Sequence, residues 1–157
     1  RSIAKNLGVS PPAIAKALPN LEKEKLITIE KDKESGRLSI ELNRDNKKVV
    51  QLKRTHNLKT LYESDIVEFL EDKFPGSTII LFGSYSRGDD FYINEDHKSD
   101  IDLAIIGVKE KPLSLEKFEK FLDREIIIQF YPSLKEIHKN LRNNILNGII
   151  LKGGVEL

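Results

Sequence analysis

The chain has 157 residues, 39% hydrophobic and 32% charged, with a formal net charge of +1 at pH 7. That balance excludes a disordered polyelectrolyte, and no apolar run approaches the roughly 18 residues a membrane span requires. Cysteine is absent, so disulfides and thiolate metal sites are excluded. The front shows no signal-peptide pattern, and a cytoplasmic protein without a membrane partner is expected. Arg1 in place of methionine suggests that the native N-terminus lies further upstream. Abundant Lys and Glu without Cys, Met or Trp fits a thermophile.

The small net charge hides an asymmetry. Residues 1–60 carry 14 Lys and Arg against 7 Asp and Glu, and residues 61–157 carry 12 against 18. A basic half joined to an acidic half suggests two modules with different partners. The basic half is the one suited to phosphate backbones; two solvated faces of chance composition are the bland alternative.

Residues 2–7 read as a short helix with Ile3, Ala4 and Leu7 on its apolar face, closed by Gly8. Ser10 is a good N-cap and Pro11 suits the first helical position, where its missing N–H has no partner to lose. Ile14, Ala17, Leu18 and Leu21 continue a helical stripe, although Pro19 predicts a kink or break at about 3 kcal/mol in a regular helix. Residues 26–30 and 37–42 alternate as two strands around a charged turn. Helix, turn, helix and hairpin is the winged helix-turn-helix order. Ser2 to Ser10, with Leu21 to Ile27, resembles bacterial and archaeal winged-helix regulators over residues 1–43. The resemblance implies a second helix in the major groove of double-stranded DNA and a wing on the backbone. Lys16 and Asn20 on that helix, with Lys31, Lys33 and Arg37 around the wing, are the candidate DNA-binding residues. Use of the same fold for dimerisation or protein contact stays open.

Residues 44–63 read as a connector helix, in one piece or two, and 64–73 as a helix with Ser64 as cap and Asp65 favouring its dipole. Phe74-Pro75-Gly76 stops it. Residues 77–82 and 101–106 are short apolar strands, 115–122 a helix, 125–130 a third strand, 133–146 a helix and 148–151 a last extended run. The fold class expected is α+β, a winged helix-turn-helix over 1–43 followed by a mixed sheet flanked by helices over 64–157.

The chemistry concentrates in Leu81-Phe82-Gly83-Ser84-Tyr85-Ser86-Arg87-Gly88 and Ser99-Asp100-Ile101-Asp102-Leu103. Gly83 lets backbone approach a ligand with no Cβ in the way, and Gly88 permits a second close approach. N–H groups at a helix start and the Ser84 hydroxyl suit phosphate oxygens. Asp100 and Asp102 alternate onto one strand face, roughly 6–7 Å apart. Two such carboxylates repel unless a cation neutralises them, and magnesium takes carboxylate and phosphate oxygens. Arg87 reads as a phosphate partner or a surface ion pair. The acidic insertion, Asp89, Asp90, Glu95 and Asp96 among its residues, reads as a solvated loop over the site mouth with extra metal binding as the lesser alternative. His97 and His138 read as surface or structural.

The paired motifs resemble the nucleotidyltransferase superfamily that includes DNA polymerase beta, kanamycin nucleotidyltransferases and the minimal nucleotidyltransferases, over residues 77–151. The resemblance implies a nucleotidyltransferase-type fold in which Asp100 and Asp102 bind Mg2+ (or Mn2+) and act in catalysis. Gly83, Ser84, Arg87 and Gly88 would then bind ATP or another NTP. It also implies a third carboxylate on the strand after the helix. The aligned position falls near Ile127, with Glu125 and Gln129 flanking it; Glu125 is the candidate third acid or, equally, a structural ion-pair residue. The activity implied is transfer of a nucleoside monophosphate from an NTP to an acceptor hydroxyl, with release of pyrophosphate. The alternatives are a DNA-binding transcriptional regulator whose catalytically weak or dead fold senses nucleotide, and an interaction protein with both sites dead. Minimal nucleotidyltransferases often pair with HEPN-type toxins, so a HEPN-type partner protein is a candidate, as is a homodimer.

Overall fold

Short amphipathic stretches broken by glycine and proline set the element order of the first fifty residues. The computed structural model describes residues 2–94 and 97–155, and the chain divides into two units, residues 1–50 and 51–157. In the first unit α1 (Ser2–Asn6) precedes α2 (Pro11–Lys23). Ser10 caps α2 by accepting a hydrogen bond from the Ala13 N–H at 3.4 Å. The helix runs through Pro19 without the break expected from the sequence. Proline removes one i→i−4 bond there, close to the C-terminal end where few bonds remain to be lost. β1 (Ile27–Lys31) and β2 (Leu38–Leu42) form an antiparallel hairpin with Ile29 opposite Ile40. Its turn is organised by Asp32, which accepts from the Ser35 N–H at 2.6 Å and the Ser35 hydroxyl at 2.7 Å. Burial in this unit is sparse. Ala4, Ile27 and Val49 are buried, α2 buries no residue, and Leu7, Val9, Leu38 and Leu42 are exposed.

The polar stretch that follows is one helix, α3 (Lys47–Glu63), not two pieces. α4 spans Ile66–Lys73. Asp65 occupies its N-cap in the left-handed region (φ 61°) without a side-chain cap bond, while Ser64 accepts from the Ile66 N–H at 3.4 Å. β3 (Thr78–Phe82), α5 (Gly83–Arg87), the short hairpin β4 (Tyr92–Asn94) and β5 (His97–Lys98), and β6 (Ile101–Ile106) follow. The acidic insertion is therefore a hairpin, and its residues Glu95 and Asp96 lie outside the described ones. α6 (Glu116–Leu122) and β7 (Ile126–Tyr131) match the expected helix and strand. The expected helix over 133–146 is instead a 3₁₀ turn (Leu134–Glu136) and α7 (Lys139–Leu146), separated by Ile137 and His138 in extended backbone. Ser133 and the buried Ile137 explain the split: the serine caps the short turn, and the isoleucine sits in the core rather than on a continuous stripe. β8 (Ile149–Lys152) completes the sheet.

The second unit is built on a four-stranded mixed sheet in the order β7-β6-β3-β8. β6 pairs parallel with β7; β3 pairs antiparallel with both β6 and β8. Both faces are covered, which is why β3 and β6 read as near-continuous apolar runs. On one face Ile79, Leu81, Ile101, Leu103 and Ile105 pack with Leu61, Ile66, Leu70 and Phe118. On the other Ile80, Phe82 and Ala104 pack with Ile137 and Ile145. Each large side chain so buried contributes about 1.5–3 kcal/mol, so the centre of the sheet is the rigid part on which other groups are mounted. Among the described residues no helix is long and apolar enough to cross a membrane.

Asp90 reverses the expectation of a solvated acidic loop. Its carboxylate is 0% exposed. Lys53 pairs with its Oδ1, which also accepts from Asn57 Nδ2 at 2.7 Å. Arg124 Nη2 donates to Oδ2 at 3.0 Å. A buried carboxylate is tolerated only when paired and fully hydrogen-bonded, and this one has two cations and an amide. Removing it leaves Lys53 and Arg124 without their shared counter-charge. Asp90→Ala is therefore expected to destabilise the protein by about 3–5 kcal/mol, measured as a loss in chemical denaturation; a change under about 1 kcal/mol would show that Lys53 and Arg124 do not depend on Asp90 as their counter-charge.

Candidate active site

The site is built at the end of two paired central strands. In the β3–β6 pairing Phe82 stands opposite Asp102. The next residue, Gly83, turns the chain out of β3 into α5 in the left-handed region, φ 73°. That turn passes directly beneath the Asp102 side chain. A Cβ on residue 83 would collide with Asp102 Oδ2 and lie 3.1 Å from Cγ. Glycine is therefore required twice over, for its backbone angle and for the carboxylate above it. Ser86 donates to the Gly83 carbonyl at 2.8 Å and tightens the same turn. Gly88 ends α5 in the left-handed region, its N–H bonded to the Ser84 carbonyl. Ser84 is partly buried, and among the described residues its hydroxyl has no protein partner.

Asp100 is exposed just ahead of β6, and Asp102 is partly buried within it. Burial and then the neighbouring Asp100 push the Asp102 carboxyl above its usual range, against a weaker opposing pull from Arg87. The three charges thus form one electrostatic group. Arg87 itself is half exposed, donates to Asp89 Oδ2 at 3.0 Å and reaches Asn144 Oδ1 on α7 at 3.5 Å. The ion pair with Asp89 is present, and the same guanidinium acts on the Asp102 carboxyl.

Two oxygen-donor carboxylates two residues apart, Asp100 just ahead of β6 and Asp102 within it over the bare Gly83 turn, fit a hard divalent cation held jointly with phosphate oxygens. Among the described residues a third protein acid does not join them. Among the described residues no group of three or more His, Cys, Asp or Glu is placed to hold a metal. The parallel register puts Ile127 beside Asp102. Glu125 is exposed one residue before β7, and its contribution near the pair is its backbone carbonyl, which accepts from the Ile101 N–H at 2.9 Å. Gln129 is opposite Ala104, and its side chain accepts from the Tyr131 hydroxyl at 2.6 Å. His97 and His138 are exposed. A cleft of about 720 Å³ lies at the other end of β3 and β6, lined by Thr78, Ile106, Lys135 and Arg142 among others, and holds none of the residues anticipated from the sequence.

The other anticipated set lies in the first unit. Lys16 and Asn20 are exposed one turn apart on α2, so they share a face. Lys31, Lys33 and Arg37 are exposed around the β1–β2 turn. Sequence reasoning missed Asn144 and the Lys53, Asn57, Asp90 and Arg124 group. Lys53 and Asn57 stand at i, i+4 on α3, which puts them on one face, but nothing in the sequence pointed that face at Asp90.

The mixed sheet, the glycine turn after β3 and the two carboxylates at the start of β6 define a nucleotidyltransferase fold, and the chain belongs to the nucleotidyltransferase domain family, which it matches over residues 63–152. It is also 45% identical over 56 residues to a Methanocaldococcus jannaschii protein named "Putative protein adenylyltransferase", covering 36% of this chain and 48% of that relative. The chain thus spans about half the length of the curated relative it matches. No solved structure matches it.

The raised Asp102 carboxyl has a consequence for stability. A carboxyl raised in the folded state holds its proton more tightly there than in the unfolded chain. Stability is then fully present below the unfolded value, about 4, and is lost as pH rises through the raised folded value. At pH 7 Asp102→Asn is expected to raise the melting temperature of metal-free protein by about 2–4 °C, a small gain because solvent screens a half-exposed group. The difference should disappear at pH 3. Calorimetry at both pH values checks it, and an equal or lower Tm at pH 7 would show that the ionised carboxylate is not a destabilising group.

Proposed function

We propose that the second unit transfers the nucleoside monophosphate of ATP to a hydroxyl on a protein, releasing pyrophosphate, with Mg2+ or Mn2+ held by Asp100 and Asp102. The observation that carries this reading is the Asp102 carboxylate seated over the Gly83 turn with Asp100 beside it. ATP and a protein acceptor are taken from the name of the Methanocaldococcus jannaschii relative.

The acceptor oxygen attacks the α-phosphorus, the α–β bridging P–O bond breaks, and pyrophosphate departs with the electron pair. When bound, the divalent ion neutralises the carboxylates and the charge developing on the leaving phosphates. The chain's own residues position the nucleotide. The first N–H groups of α5 lack intrahelical partners and suit phosphate oxygens, as does the Ser84 hydroxyl. The bare Gly83 turn allows the phosphate chain to lie against backbone. Arg87 offers a guanidinium to the same phosphates. The acceptor's proton leaves to an ionised carboxylate of the pair or to solvent, because Ile127 occupies the position beside Asp102 where the family resemblance places a third acid. A base that is neither dedicated nor buried implies slow transfer, since a well-placed base contributes about 10²–10⁴-fold.

Incubation with labelled ATP, GTP, CTP or UTP, Mg2+ and cell extract tests the reading. Wild-type protein should label a protein band best with ATP labelled at the α-phosphate, and Asp100→Asn should reduce the labelling at least about 100-fold. Equal labelling by the two proteins removes Asp100 from the mechanism.

The second reading, a DNA-binding regulator whose nucleotidyltransferase fold senses nucleotide, draws on the lack of a third acid at the pair among the described residues and on the first unit's exposed cations. In it Lys16 and Asn20 enter the major groove and Lys31, Lys33 and Arg37 follow the backbone. A homodimer or a HEPN-type partner would suit either reading. Duplex binding should weaken with salt, and Lys33→Ala should lower the log–log salt slope by about 1 if Lys33 neutralises a phosphate. A slope of zero in wild type would exclude the DNA role.

A further inference from the structure

We propose that Arg124 is a positioning residue for Asp100: its buried guanidinium fixes the peptide that carries Asp100 and so sets where the first carboxylate of the pair stands. The proposal rests on reading that pair as a metal site.

Arg124 lies just ahead of β7, its side chain only 9% exposed. Nη1 donates to the Ser99 carbonyl at 2.8 Å and to the Phe91 carbonyl at 2.6 Å; Nη2 donates to Asp90 at 3.0 Å. The Ser99 carbonyl belongs to the planar peptide whose nitrogen is that of Asp100. Holding the oxygen therefore holds the plane from which the Asp100 side chain departs. The far side of Asp100 is held too, because the Ile101 N–H donates to the Glu125 carbonyl at 2.9 Å. Consecutive residues 124 and 125 thus bracket Asp100 on both sides. The guanidinium is itself anchored by a carboxylate that is 0% exposed and gripped by Lys53 and Asn57 from α3. Around the same node Ser99 and Phe91 exchange hydrogen bonds, Ser99 N–H to the Phe91 carbonyl and Phe91 N–H to Ser99 Oγ, both at 3.0 Å.

The arrangement has a specific logic. Asp100 is exposed and repelled by Asp102, so its side chain has little to hold it before a cation arrives. Pinning its backbone lowers the freedom that cation binding must remove. Groups that orient metal ligands typically change metal affinity by about 10–100-fold when altered. Only a planar fork of five donors spans a carboxylate and two carbonyls at once; an ammonium does not.

Mn2+ binding to the whole chain, read by water-proton relaxation without nucleotide or turnover, tests the proposal. Arg124→Lys keeps the charge opposite Asp90 and loses the fork. Arg124→Gln with Asp90→Asn removes one charge of each sign and keeps hydrogen-bonding groups. Both are expected to weaken Mn2+ binding about 10–100-fold while retaining folded circular dichroism. Lys53→Met, which touches Asp90 but neither carbonyl, should lose stability and keep wild-type Mn2+ affinity. Wild-type affinity in either folded Arg124 variant overturns the proposal. So does failure of both variants to fold, since the node would then serve the fold alone. Absence of Mn2+ binding by wild type, or binding unaffected by Asp100→Asn, instead overturns the metal-site reading itself.

Discussion

The Asp102 carboxylate lies over a bare glycine turn, and the arrangement of the second unit follows from keeping it there. Two constraints meet at that point. The antiparallel register of β3 and β6 sets Phe82 against Asp102, so the chain leaving β3 must pass under the carboxylate. A Cβ at residue 83 would occupy the space of the Asp102 side chain. Neither element can shift independently. Ile101 and Leu103, on either side of Asp102, are fully buried in the opposite face of the sheet. A register slip by one residue would turn both into the site and the aspartate into the core. The apolar content of β6 is thus what orients the polar residue between.

Charge is treated in two opposite ways within about a dozen residues. Asp90 is taken out of water and given Lys53, Arg124 and Asn57. Asp100 raises the Asp102 carboxyl, and the opposing pull comes from Arg87, which is exposed and shared with Asp89. A buried ion pair contributes little net stability against well-packed apolar groups, but losing one partner is costly. The Asp90 node is therefore better understood as a fixed joint than as a source of stability, connecting α3, the β4–β5 hairpin and the start of β7. The unsatisfied pair is the opposite case, a local cost that a bound cation would remove. The placement of the joint against the peptide before Asp100 connects the two.

What the sequence revealed depended on whether the signal was local. β6 was legible to the residue because its apolar run starts after Ser99-Asp100 and stops at Gly107. The Gly83–Ser84 and Asp100–Asp102 motifs were legible because each is a short spacing, the first opening α5 and the second at the entry to β6. Asp90 was not, because its burial depends on Lys53, 37 positions earlier, and Arg124, 34 positions later. In isolation Asp89 and Asp90 are indistinguishable, yet one is on the surface and the other has no exposure. The helix expected over 133–146 failed for a similar reason. Its spacing was acceptable, but tertiary burial of Ile137 overrode local propensity and split it. Pro19 erred in the other direction, since a proline near a helix end forfeits little and the helix continued through it.

On the proposed reading the position beside Asp102 on β7 separates transfer from mere binding. Parallel pairing fixes Ile127 there, and strand alternation sends Glu125 and Gln129 to the same face two residues away in either direction. Gln129 accepts a hydrogen bond from Tyr131, and Glu125 contributes its backbone to the Ile101 amide. The residues on β7 therefore support β6 by packing and hydrogen bonding rather than by adding a third charge to the pair. Two carboxylates and a phosphate chain suffice to hold a divalent ion, so on the proposed reading the cost of Ile127 falls on proton removal and not on nucleotide binding. An acceptor whose hydroxyl is already acidic depends least on a dedicated base. On the proposed reading this favours a tyrosine over a serine or threonine, because the phenol ionises near pH 10 and the aliphatic hydroxyls do so only well above it. On that reading a site with Ile127 in this position would choose its acceptor partly by acidity, and β7 would bear on specificity as well as on rate.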